Sequence, residues 1–218
     1  MLATAIICLA AGTVVMLAWY LFFLRFNRRK AVEVVRRIEA ALAGKGQVLG
    51  VRWLSASLFQ VRLRLRTSVF QRPLLTVQLA PREMPLKWLA RCWDERQDVL
   101  TFESDLDFPP GFELIVQNHR WVGRTSQKYS ADPKQWRIQR TTPAIITSRR
   151  DWQPELTMMV NALLSSRERP FLTLCFRRSS PQFVATVPLQ SISSGAADSP
   201  NVFDALRELA TGASRSRL

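Results

Sequence analysis

"LAWYLFFLRFNRRK", Leu17 to Lys30, is the stretch on which the fold turns, because it closes an uncharged run and then becomes abruptly basic. Upstream of it, Leu2 to Leu24 contain no charged residue. A helix of that length rises about 35 Å at about 1.5 Å per residue, enough to cross a hydrocarbon layer of about 30 Å with some tilt. Residues 1–26 therefore read as a transmembrane anchor. A cleaved secretory signal fits poorly, since no Lys or Arg precedes the apolar core and bulky Trp19, Tyr20, Phe22 and Phe23 fill its far end. Cys8 follows Ile6 and Ile7, where a lipid-attachment site would want small residues, so it reads as a small side chain in an apolar helix.

The charge next door predicts the orientation. The chain carries a formal net charge of +14 over 218 residues. Arg25 to Ala80 holds 12 Lys/Arg against 2 acidic residues, whereas Pro81 to Leu218 holds 19 against 15. Basic residues beside a span are biased to the cytoplasmic side, which predicts N-out, C-in topology in the inner (plasma) membrane of a bacterium. Trp19 and Tyr20 fit an aromatic belt at headgroup level. Arg25, Arg28, Arg29 and Lys30 would meet anionic lipid headgroups at about 1 kcal/mol per residue. A merely solvated stop-transfer cluster is the alternative.

Residues 27–46 read as a basic juxtamembrane amphipathic helix. Ala31, Val34, Val35, Ile38, Ala41 and Leu42 recur at helical spacing, Glu33 lies four before Arg37, and Gly44 sits where a C-cap glycine belongs. The helix could continue the span or break near Asn27 and lie along the surface. Its stripe suits packing on its own domain or docking on another protein, with Arg36 and Arg37 as candidate partner contacts.

Residues 47–211 read as one α+β soluble domain. "LFQVRLRLR", Leu58 to Arg66, puts Phe59, Val61, Leu63 and Leu65 on one face and Arg62, Arg64 and Arg66 on the other, the pattern of a half-buried antiparallel strand with an arginine wet face. With "VLGVRWL" before and "LLTVQLA" after, it predicts a three-stranded meander from Val48 to Ala80. A short helix is expected from about Pro85 to Trp93, then strands at "DVLTFE" and "FELIVQ". His119 to Pro143 reads as polar and irregular, with Trp121 and Trp136 interleaved with basic residues, as both single-stranded nucleic-acid grooves and headgroup-facing loops are built. A helix over Arg150 to Ser166, a hairpin of "FLTLCF" and "FVATVPL", a helix from Val202 to Ala210 and a frayed basic tail over 212–218 complete the pattern. The fold class expected is α+β: one N-terminal transmembrane helix followed by a cytoplasmic domain of antiparallel strands with two or three helices.

Catalytic patterns are weak. The chain has one histidine, His119, and three cysteines, Cys8, Cys92 and Cys175, none at metal-ligand spacing from another. Eight scattered glycines write neither a P-loop nor a dinucleotide fingerprint. Asp105 and Asp107 lack the alternating ligands and terminal glutamate of a calcium loop. Neither an enzyme, nor a cofactor, nor a small-molecule substrate is expected. Arginine outnumbers lysine 26 to 5, a bias that base composition could also produce.

The expectation is an accessory or structural subunit that docks its basic domain on a larger membrane assembly, with respiratory or photosynthetic complexes as hosts by analogy of type. Its partners would be anionic lipid headgroups and other membrane-protein subunits. Arg36, Arg37, Arg62, Arg64, Arg66, Trp121 and Trp136 are the candidate partner contacts. The alternatives are a membrane-tethered nucleic-acid-binding module, disfavoured because headgroups and membrane proteins are the nearer polyanions, and a membrane-bound enzyme with an unrecognised site.

Overall fold

The structure, a computed structural model, describes residues 2–86, 88–89, 97–110, 113–118, 136–141, 144–149, 173–192 and 202–215. Its first element is a single helix, α1, running unbroken from Leu2–Ala41. The span and the amphipathic segment are therefore one rod, and the chain does not break at Asn27. Nothing in the sequence forces a break: no proline or glycine lies between Leu17 and Leu42. The rod ends where Gly44 takes a left-handed φ of 78° and the amides of Lys45 and Gly46 donate to the Leu42 carbonyl at 2.8 and 3.1 Å.

Nine strands follow: β1 (Gly46–Trp53), β2 (Leu58–Leu65), β3 (Phe70–Gln78), β4 (Val99–Leu106), β5 (Leu114–Asn118), β6 (Trp136–Thr141), β7 (Ala144–Arg149), β8 (Thr173–Phe176) and β9 (Phe183–Pro188). They form one sheet in the order β1-β2-β3-β4-β9-β8-β5-β7-β6, with every neighbouring pair antiparallel. The meander expected over Val48 to Ala80 is β1–β3. The predicted strands around Val99, Leu114, Thr173 and Phe183 are all present. A 3-10 turn (Leu189–Ile192) and a helix, α2 (Val202–Arg215), close the described chain.

Register explains the core. Phe59 faces Val77, Val61 faces Leu75, Leu75 faces Phe102, and Leu100 faces Val187, so one face of the sheet carries a continuous apolar layer. Ala31, Val34 and Ile38 of α1, Leu42 just past its end, and Phe203, Leu206, Leu209 and Ala210 of α2 pack on that layer. Phe70, Phe102, Phe176 and Phe183 meet edge-on or tilted at its centre, with ring centroids 4.9 to 6.0 Å apart. The lower half of α1 is thus a core helix of the domain, as its small and branched stripe allows.

Two departures from the sequence reading stand out. The segment read as irregular to Pro143 contains β6, which pairs with β7 as a hairpin at the sheet's far edge. The tail read as frayed from 212 is helical through Arg215, one face of α2 being held by Phe203, Leu206 and Leu209. Among the described residues, Pro85, Leu86, Trp88 and Leu89 are helical, as expected there. The predicted helix over Arg150 to Ser166, and Cys92, His119 and Trp121, lie outside the described residues.

Candidate membrane-proximal interface

The rod divides sharply along its length. Residues 2–18 are exposed on every side, and the helix they open is long and apolar enough to cross a membrane. From Trp19 onward one face touches the domain. Trp19 Nε1 donates to the Arg82 carbonyl at 3.1 Å, and its ring lies 6.2 Å from that of Trp88. Eight residues on, Asn27 is fully buried and its Nδ2 donates to Glu83 Oε2 at 2.9 Å. The Arg82 guanidinium lies 5.3 Å over the Phe26 ring, a cation–π contact. Lys30 pairs with Asp98, whose other oxygen accepts from the Ala80 amide at 2.7 Å.

These contacts sort the predicted headgroup residues. Trp19 is half-buried against the domain, while Tyr20 is exposed. Lys30 is committed to Asp98. Arg25, Arg28 and Arg29 are exposed and have no ion-pair partner among the described residues. At 100° per residue, Arg25, Arg29 and Arg36 fall on the side of α1 opposite Asn27, Ala31, Val34 and Ile38, so this basic stripe points directly away from the domain. Arg37 pairs with Glu33 in the expected i, i+4 order.

The predicted partner contacts sort as well. Arg62 and Arg64 are exposed on the sheet face opposite the helices, as their alternation requires. Arg52 pairs with Gln60 in register and shares that face, so three guanidiniums stand on the first two strands. Arg66 differs: it lies past the end of β2, and its amide donates to the Lys45 carbonyl at 2.9 Å, tying the strand to the loop after α1. The same loop is held to α2 by a Lys45–Asp204 ion pair. Trp136 opens β6, its backbone paired with Arg149.

Sequence reasoning missed the edge of the sheet. β1 is the terminal strand, and Leu49, Val51, Trp53 and Leu54 are all exposed. Leu49 is the extra residue of a bulge between Val48 and Gly50. The signal was present as an apolar "VLGVRWL" without clean alternation, but only strand order makes it an edge.

Asp105, in β4, and Asp107, just past it, tie that strand's end to segments distant in the chain. Asp105 Oδ1 accepts from the Gln182 amide at 3.4 Å and Asp107 Oδ1 from Gln71 Nε2 at 3.2 Å. Cys175 is buried on β8, and burial pushes its thiol above the ordinary range, with Arg177 opposing and Glu113 adding to the shift. No group of His, Cys, Asp and Glu among the described residues could hold a metal ion. The chain matches no protein-family model and no curated protein.

Proposed function

We propose that this chain is a single-pass, membrane-anchored accessory subunit, N-out and C-in, whose α+β domain docks on another subunit of a larger assembly in the same membrane. The open β1 edge carries the reading. Among the described residues no strand pairs with its outer row of backbone N–H and C=O groups, and Leu49, Val51 and Trp53 stand exposed on it with Leu54 just past its end, Leu49 at 58% and Leu54 at 47%. The bulge at Leu49 and the charge of Arg52 interrupt the edge but leave its apolar side chains uncovered, as on a sheet that receives a partner segment. Arg52, Arg62 and Arg64 beside it favour an acidic, extended segment of the partner. α1 holds this edge at a set distance from the bilayer because the span and the core helix are one rod, which favours a partner anchored in the same membrane.

Extraction in mild detergent followed by size separation tests the proposal. The protein is expected to migrate in a complex several times its own 25.0 kDa mass. The combined L49D/R62E/R64E variant is expected to run alone while keeping its circular dichroism. Migration of the wild-type chain alone at every detergent concentration rejects the reading.

A further inference from the structure

We propose that the segment of Pro81 to Leu86 with Trp88 and Leu89 is a second membrane contact, an apolar wedge that enters the face of the bilayer crossed by α1 and seats the domain against it. The inference rests on reading α1 as a span, and depth carries it. A hydrocarbon layer of about 30 Å takes up about 20 helical residues, and the uncharged run that supplies them ends at Leu24, just before Arg25. Trp19 therefore lies near the inner boundary of that layer, and the main chain of Arg82 and the ring of Trp88 lie against Trp19. Tilting the helix draws more of it into the hydrocarbon and takes the turn deeper.

The side chains suit that depth. Met84, Leu86 and Leu89 are exposed, and Leu86, at 83%, is more exposed than Leu2 in the first turn of the rod, at 80%. A domain that buries Phe59, Phe102, Phe176 and Phe183 completely has not failed to cover Leu86 for want of core. Contiguous exposed apolar side chains mark a surface meant for another apolar phase. Around the wedge the chemistry turns basic: Arg82 lies on Phe26, and Arg25, Arg28 and Arg29 follow on α1 where phosphates would lie. The base is fixed by the buried Asn27–Glu83 bond, so the wedge keeps its height relative to the span. Continuity with the span decides the occupant: the turn packs on the very residues that lead α1 out of lipid, so lipid, not a partner protein, is the phase it meets.

Photocrosslinking of the full chain in phosphatidylethanolamine–phosphatidylglycerol vesicles tests this. p-Benzoylphenylalanine is placed singly at Leu86, at Leu9 within the rod and at Arg64 on the outer sheet face, all exposed sites that tolerate a bulky residue. Lipid adducts are expected at positions 86 and 9 and not at 64. Adducts at 9 but not at 86 overturn the wedge and leave the span standing. Absence of adducts at 9 overturns the span reading itself. A protein–protein crosslink at 86 in native membranes, without lipid adducts, also overturns the wedge and assigns the turn to a partner.

Discussion

Asn27, about two thirds of the way along α1, donates through Nδ2 to the Glu83 carboxylate at 2.9 Å, and both residues are buried. This bond joins the anchor to the domain at the point where the rod leaves its apolar half. A carboxylate out of reach of water needs its donor, so the Asn27→Ala variant is expected to lose about 1 to 3 kcal/mol. At about 2 to 4 °C per kcal/mol for a chain of this size, thermal unfolding in detergent micelles should show the loss clearly. Arg28→Ala, one residue on and exposed, should leave the midpoint unchanged.

Asp98 carries two duties, and they can be separated. One oxygen accepts from the Ala80 amide and the other pairs with Lys30, which ties the end of β3 to α1. Lys30→Met removes only the partly exposed ion pair and is expected to cost about 1 kcal/mol or less. Asp98→Ala also orphans the amide and is expected to cost about 2 kcal/mol or more. Denaturant titration of both variants checks the order, and a larger loss for Lys30→Met contradicts it.

Two glycines of β1 should differ in their tolerance of a methyl group. A Cβ at Gly46 would lie 2.6 Å from the Arg64 carbonyl oxygen, a backbone atom that cannot rotate away. Gly46→Ala is expected to destabilise by about 1 to 3 kcal/mol. At Gly50 nothing lies within 4 Å of the added carbon, and Gly50→Ala is expected to change stability by no more than about 0.5 kcal/mol.

Cys175 should be a protected thiol. Burial raises its pKa, with Arg177 opposing and Glu113 reinforcing, so the folded protein holds the proton at a pH where the unfolded chain has released it. The stability linked to this group is fully present below the unfolded thiol range and is lost as pH rises above it toward the folded value. Iodoacetamide labelling read by peptide mapping at pH 8 should leave Cys175 unmodified in the folded protein and modify it in denaturant. The Cys175→Ser variant should flatten the alkaline fall in stability. Rapid labelling in the folded protein contradicts the assignment.

Several parts of the interface were legible as pattern. The period-2 alternation from Leu58 to Arg66 placed Arg62 and Arg64 on the wet face, and the i, i+4 spacing placed Arg37 beside Glu33. Arg66 and Lys30 were not legible, because each is claimed by a partner distant in sequence: Arg66 by the loop after α1 and Lys30 by Asp98. The β6–β7 hairpin went unread because a polar run with scattered tryptophans carries little periodic signal. Its strands are defined by pairing with each other and with β5.

What the sequence determined by itself is whatever depends on neighbours along the chain. The uncharged run, the abrupt basic flank, the helical stripe ending at Gly44 and the alternation of the strands all follow from period and steric preference within a few residues. What only the tertiary structure decided depends on pairs far apart in the chain. At Asn27 the sequence allows the helix to continue or to break, and it continues with Asn27 as a buried donor because Glu83, 56 residues later, arrives beside it. Leu86 and Leu89 read as one face of a short helix, and that helix lies beside the rod because Trp88, off that face, meets Trp19. β1 is an open edge only by its place in the order of nine strands. Local stereochemistry selects the elements, while burial and hydrogen-bond satisfaction across the whole chain select how they meet, and the surfaces that matter here arise from that second selection.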